Sequence, residues 1–193
     1  MTTRVKVSLA EFLEMPETEP PSELIEGEVV QKVAPSIFHA RVVAELNRLL
    51  GNYLETSQEA FVLSEARHFN VPEDRAFLPD VSVSLRSSLP SIRAAQRSGG
   101  IAVAPDFAVE VLSPGDWPGR VLEKVAFYMR AGTQLLWVID PEMETITSHR
   151  PGESPTVHAS GGLPASPVLA GFVLDVERLF AILHDGEDDE LNP

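Results

Sequence analysis

Cysteine is absent from the 193 residues, which excludes a disulfide framework, a thiolate nucleophile and any metal or cluster held by sulfur. Bases are scarce as well. Fifteen Lys and Arg stand against 29 Asp and Glu, for a formal net charge of −14, and three of the bases are lysines: Lys6, Lys32 and Lys124. Taken at face value, that charge argues against a nucleic-acid partner, because such proteins usually present a basic face. No apolar run approaches the roughly 20 residues that cross a bilayer. The start MTTRVKVSLAEFLEM has no signal-type hydrophobic stretch, so a cytoplasmic protein without a membrane partner is expected. The phosphate-cradling GxGxxG and Walker loops and the GxSxG nucleophile elbow are missing too, which removes the glycine-loop and serine-hydrolase signatures.

A 44% hydrophobic content is enough to build one full-sized core and too high for wholesale disorder. The negative charge is unevenly spread. Residues 11–28 carry Glu11, Glu14, Glu17, Glu19, Glu23, Glu26 and Glu28 without a base, and the tail DGEDDE adds five acids. Setting these twelve aside leaves 17 acids against 15 bases, close to neutrality. Both runs read as solvated. The expected organisation is a single domain over 1–184, with 1–21 an acidic helix and Pro-rich lead-in, and 185–193 a disordered acidic tail.

Hydrophobic spacing supplies the elements. SLAEFLEM, with Ser8 as cap, predicts a short helix; ELIEGEVVQKVA predicts a hairpin turning at Gly27. Val42, Val43, Leu46, Leu49, Leu50 and Tyr53 repeat at helical spacing from a Ser36 cap to about Leu54, with Gly51-Asn52 expected to loosen the last turn. The period then shifts to two: Phe61-Val62-Leu63 and Ala66-His68-Asn70 suggest a strand, VPEDRAF a loop, LPDVSVSL another strand and LPSIRAAQRSGG a variable excursion. APDFAVEVLSP reads as a strongly apolar strand, Trp117–Ala131 as a helix with Pro118 in its first turn and Gly132 at its end, and QLLWVIDP as a buried strand. Short strands and a helix capped by Asp175 complete the chain. The order predicts an α/β (α+β mixed) fold, one mixed sheet flanked by helices.

Three charges stand out within apolar surroundings. Asp80 heads the strand in LPDVSV, Glu110 lies inside FAVEV, and Lys124 is on the helix that follows. A carboxylate in the middle of an apolar strand is costly unless it is paired or bound to metal. Alternation sets Ala108, Glu110 and Leu112 on one face and Phe107, Val109 and Val111 on the other. Two converging carboxylates make an oxygen-rich site for a hard cation such as Mg²⁺, and an adjacent ammonium can polarise a phosphate. Tyr128, one turn after Lys124, reads as core packing. His68, His149 and His158 have no metal-ligand spacing.

The ordered segments ELIEGEVV, APSIFHARVVAELNRLL, PDVSV, PDFAVEVLSP, KVAFYMRAG and LLWVIDP, over about residues 20–182, resemble the Uma-type restriction endonuclease family of the PD-(D/E)XK nuclease superfamily. The resemblance implies a restriction-endonuclease-like central mixed sheet flanked by helices and an Mg²⁺- or Mn²⁺-dependent endonuclease acting on DNA. It also implies a homodimer. The superfamily's two acids match Asp80 and Glu110, which would hold the metal. Its lysine is expected two residues after the second acid, where this chain has Leu112; the family takes the lysine from the following helix, which matches Lys124. His39, where the family also shows a histidine, Glu45 as the helical glutamate and Asp106 at the strand start are secondary candidates. Two competing classes remain: a catalytically degenerate nuclease fold used in binding or assembly, and an interaction protein with Glu110 on an exposed edge.

Overall fold

Ser8 and Glu11 form a capping box on the first helix, α1 (Leu9–Glu14): the Ser8 hydroxyl accepts the Glu11 N–H while the Glu11 carboxylate accepts the Ser8 N–H at 2.8 Å. The computed structural model describes residues 6–89 and 91–184; the tail expected to be disordered at 185–193 lies outside them. Strands β1 (Ser22–Ile25) and β2 (Glu28–Gln31) form the expected hairpin, with Gly27 at φ +82° in a turn conformation that glycine enters without strain. Helix α2 (Ile37–Ser57) is capped by Ser36, whose hydroxyl accepts the His39 N–H at 3.1 Å. Its row Val42, Leu46, Leu50, Leu54 is buried. That row carries the helix through Gly51 and Asn52 to a left-handed Gln58, so the dipeptide does not loosen the last turn: burial of Leu54 outweighs its weak helix preference.

The single strand expected next is divided, past a left-handed Glu65, into β3 (Ala60–Ser64) and β4 (His68–Asn70), and the structure departs further from expectation. VPEDRAF is not a plain loop: a 3₁₀ turn at Val71–Glu73 leads into β5 (Arg75–Phe77), which pairs antiparallel with both β4 and β1. Three residues are too few to display a period, and Arg75 disguises a wholly buried strand because its guanidinium is paired with Glu26. After β6 (Val81–Leu85), the expected excursion contains a short helix, α3 (Ile92–Arg97), capped by Ser91 and burying no residue. The remaining elements are β7 (Phe107–Val111), α4 (Pro118–Ala131), β8 (Leu135–Asp140), β9 (Thr145–His149), β10 (Thr156–His158), β11 (Gly162–Pro164), β12 (Val173–Asp175) and α5 (Val176–Ala181).

The central sheet has the order β10-β9-β8-β7-β6-β3 and is mixed: β7 and β8 are parallel and every other pairing is antiparallel. A parallel pair needs a crossover, and α4 supplies it. A four-stranded antiparallel sheet, β2-β1-β5-β4, and the β11–β12 pair stand apart from it, so one expected sheet becomes three. On one face of the central sheet, α2 and α5 cover Val81, Val83, Phe107, Val109, Val111 and Trp137. On the other, α4 packs Phe127 and Tyr128 on Phe77, Ala108, Leu136 and Val138. Alternation along β7 therefore turns Glu110 toward α4, away from the larger core.

His68 links β4 to the central sheet from a fully buried position, its ring nitrogens 3.1 Å from Ser82 Oγ and 2.9 Å from the Val103 carbonyl. Burial pulls its pKa down to about 4, against the opposing pull of the Val103 carbonyl and the Asp106 charge. A histidine depressed on folding contributes stability that is complete above its ordinary value of 6.5 and is lost as pH falls toward the folded value. Two and a half pH units correspond to about 3 kcal/mol. Urea unfolding at pH 7.5 and 4.5 should therefore show a larger acid loss for the wild type than for His68→Gln, by about 2–3 kcal/mol. Equal losses in the two proteins would refute this.

Candidate active site

Asp80 immediately precedes β6, and the register Val81↔Val109 sets it beside the end of β7, where its Oδ2 accepts the Val111 N–H at 2.7 Å. Lys32, one residue beyond β2, places Nζ 2.6 Å from Asp80 Oδ1 and also donates to the Leu78 carbonyl at 3.0 Å. His39, in the first turn of α2, brings Nε2 to 3.2 Å from Asp80 Oδ2. Burial alone would raise the Asp80 carboxyl. The His39 hydrogen bond and the Lys32 and Lys124 ammoniums overcome it and hold Asp80 well below the usual carboxylate range.

Glu110 is held from α4. Its Oε2 accepts from Lys124 Nζ at 2.6 Å and its Oε1 from the Tyr128 hydroxyl at 2.7 Å, two donors one helical turn apart. Lys124 Nζ is also 3.0 Å from Glu23 Oε1, and that oxygen accepts the Leu78 N–H at 3.0 Å. Glu23, Asp80 and Glu110 are all buried. Burial lifts Glu110 above the ordinary carboxylate range; Asp80 and Glu23 add to the lift, and Lys124 and Lys32 oppose it. Burial also acts to lower Lys124, yet Glu110, Glu23 and Asp80 reverse the effect and hold it above the usual lysine range. The proton of the Glu110–Lys124 pair therefore stays on the lysine at neutral pH. The Tyr128 hydroxyl, raised by burial and by the charges of Glu110 and Glu23, stays protonated and donates.

Asp80, Glu110, Lys124 and His39 thus line one cleft, together with Glu23 and Lys32. Leu112, at the position where the superfamily pattern has lysine, lines it too; the ammonium beside Glu110 is that of Lys124. The other two secondary candidates are elsewhere. Glu45 forms a two-pronged pair with Arg48 on α2, at 2.6 and 2.8 Å. Asp106 ties a loop, accepting the Leu85 N–H at 2.8 Å and the Ser88 hydroxyl at 3.0 Å. Sequence reading passed over Glu23 and Lys32 and left Tyr128 as packing. Glu23 carried the same signal as Glu110, a carboxylate beside Leu24 and Ile25, but the surrounding acids hid it.

Asp80 and Glu110 are hard oxygen donors of the kind that suit Mg²⁺ or Mn²⁺. The donor chemistry fits a divalent cation. Among the described residues no three His, Asp or Glu side chains form a ready ligand cage, and Lys32 and Lys124 hold the oxygens that such a cation would take.

No curated protein matches the chain. A solved structure from Anabaena variabilis ATCC 29413, described as "a putative nuclease belonging to DUF820", is similar with a TM-score of 0.82 and 31% sequence identity, covering 92% of this chain and 99% of that one. Residues 9–177 match Uma2, a family described as "Putative restriction endonuclease". With that span taking in all three sheets and every cleft residue named above, the chain belongs to the Uma2 family.

Proposed function

We propose that the protein is a divalent-metal-dependent endonuclease that hydrolyses DNA phosphodiester bonds. One observation carries the reading: two buried carboxylates, one at the head of β6 and one on the adjacent β7, share a single cleft with a lysine from the crossover helix. Asp80 and Glu110 would hold Mg²⁺ or Mn²⁺, which when bound supplies a Lewis acid and an activated water. Lys124 presents its ammonium to the scissile phosphate, where negative charge grows in the transition state. Glu23 and Tyr128 are positioning residues, fixing Lys124 and Glu110 respectively; His39 orients Asp80. A second reading, a nuclease fold retained for binding or assembly, is favoured by the lysines that already occupy Asp80 and Glu110.

Nuclease assays on linear, circular and single-stranded DNA with Mg²⁺ or Mn²⁺ separate the two. Cleavage by the wild type should fall by about a hundredfold in Glu110→Ala and in Lys124→Ala, with both variants checked for folding by circular dichroism. Cleavage that survives both substitutions would remove these residues from the chemistry. No cleavage of any form would favour the binding reading. The family resemblance also implies a homodimer, which sedimentation would measure.

A further inference from the structure

Two of the cleft's three cations are committed: Lys32 to Asp80, and Lys124 to Glu110 and Glu23. The third is not. Arg120 lies one turn before Lys124 on α4 and borders the same cleft, yet among the described residues its Nη1 is buried without a hydrogen-bond partner. A desolvated guanidinium N–H without an acceptor is unfavourable, and an anion entering the cleft would satisfy it. The planar fork matches the oxygens of a phosphate. Asp116, also on the cleft wall, does not fill the role, since its Oδ2 accepts the Ser113 N–H at 2.7 Å.

Trp117 stands three residues before Arg120. It is 66% exposed, whereas Trp137, the other tryptophan, is fully buried. Its exposure is not that of a loose side chain. A Cβ added to Gly119 would fall 2.7 Å from the indole, so the ring lies across the Gly119 backbone and a larger residue there would displace it. Trp117 precedes the first residue of α4 and makes no side-chain capping bond, so capping does not account for it. An exposed aromatic ring thus stands one helical turn before an unsatisfied guanidinium, outside the residues that line the cleft.

We propose that Arg120 and Trp117 form a nucleotide subsite for single-stranded nucleic acid, Arg120 holding a backbone phosphate next to the scissile one and Trp117 stacking on an unpaired base. Bases within a duplex already stack on each other, so an exposed indole selects an unpaired one. The assignment rests on the nuclease reading for the placement of the neighbouring phosphate, but binding is measured without cleavage. With one uncommitted cation, the salt dependence should be shallow, a log–log slope of about −0.7 for a single phosphate contact on a single strand.

The experiment titrates the full chain in EDTA with an oligothymidylate of about eight nucleotides and with a duplex of the same length, reading tryptophan fluorescence and the anisotropy of a labelled oligonucleotide. Because Trp137 is buried, quenching reports on Trp117. Saturable quenching by the single strand is expected. Trp117→Ala and Arg120→Met should each weaken its binding about tenfold, Arg120→Lys less, and the duplex should bind about tenfold more weakly than the single strand. Wild-type affinity in both variants, or equal affinity for duplex and single strand, would overturn the subsite even if the enzyme cleaves DNA. Failure of the wild type to cleave, with the binding differences intact, would instead remove the nuclease reading and leave the subsite standing.

Discussion

Lys124→Met should destabilise the protein by about 3–5 kcal/mol at pH 7, the cost of breaking a buried ion pair by removing one partner. It would be read as a lower urea midpoint at unchanged slope. Lys124 neutralises two carboxylates at once, Glu110 at 2.6 Å and Glu23 at 3.0 Å, and neither acid is open to solvent. Removing the ammonium leaves Glu23, Asp80 and Glu110 in one cleft with Lys32 as the remaining ammonium. The loss should depend on pH in a definite direction. Glu110 is already raised above its ordinary 4.5, and losing Lys124 raises it further. A carboxyl raised on folding contributes stability that is complete below its unfolded value and lost as pH rises through its folded value. The variant should therefore lie closest to wild type near pH 5 and farthest above pH 8. Adding Glu110→Gln to Lys124→Met should recover part of the loss, giving a coupling energy within the range of about 0.5–3 kcal/mol seen for residues in contact. A loss below about 1 kcal/mol, the same at every pH, is what a solvent-exposed pair would give and would contradict the burial of this one.

The central sheet and its two helical layers were legible because their signals are long or strong. FAVEV is strongly apolar, the Val42–Leu54 row repeats every four residues, and Pro118 and Gly132 mark the ends of α4. The second sheet was not, because β4 and β5 have three residues each and Arg75 interrupts the apolar pattern. The same logic divides the candidate site. Asp80 and Glu110 stood out as charges among apolar neighbours, and Lys124 as one of three lysines. Glu23 was concealed by the acidic stretch 11–28, which reads as solvated and is largely exposed, with Glu23 the buried exception and several of the others paired at the surface. Glu11 completes the α1 cap, Glu17 pairs with Arg67, Glu26 pairs with Arg75, and Glu23 is buried on Lys124. Local composition reports charge density; it cannot report which carboxylate a distant helix will neutralise. That reassignment also alters the bearing of the −14 on nucleic-acid binding, since part of the charge is internally compensated.

Lys32→Met should tighten Mn²⁺ binding by about two to three orders of magnitude, measured by calorimetry or by the loss of the free-ion electron paramagnetic resonance signal. Lys32 Nζ lies 2.6 Å from Asp80 Oδ1 and is anchored by the Leu78 carbonyl, with Glu65 a further 3.7 Å contact. A dication at Asp80 must displace this ammonium or endure it. At 4 Å and an effective dielectric of about 20, two unit charges interact by about 4 kcal/mol, and a dication doubles the figure. Withdrawal of Lys32 toward Glu65, already 3.7 Å away, would relieve part of that, so roughly 3–4 kcal/mol is expected in the metal affinity. Methionine preserves the length and apolar stem of the lysine, so the Asp80 contacts to Val111 and His39 should persist and the fold with them. The Asp80 carboxyl should remain ionised on those two contacts and on Lys124. Unchanged or weaker Mn²⁺ affinity in Lys32→Met would show that the lysine and the cation do not compete for Asp80. A gain in affinity that Asp80→Asn abolishes would place the cation on that carboxylate and make Lys32 the group that sets how much free metal the site requires.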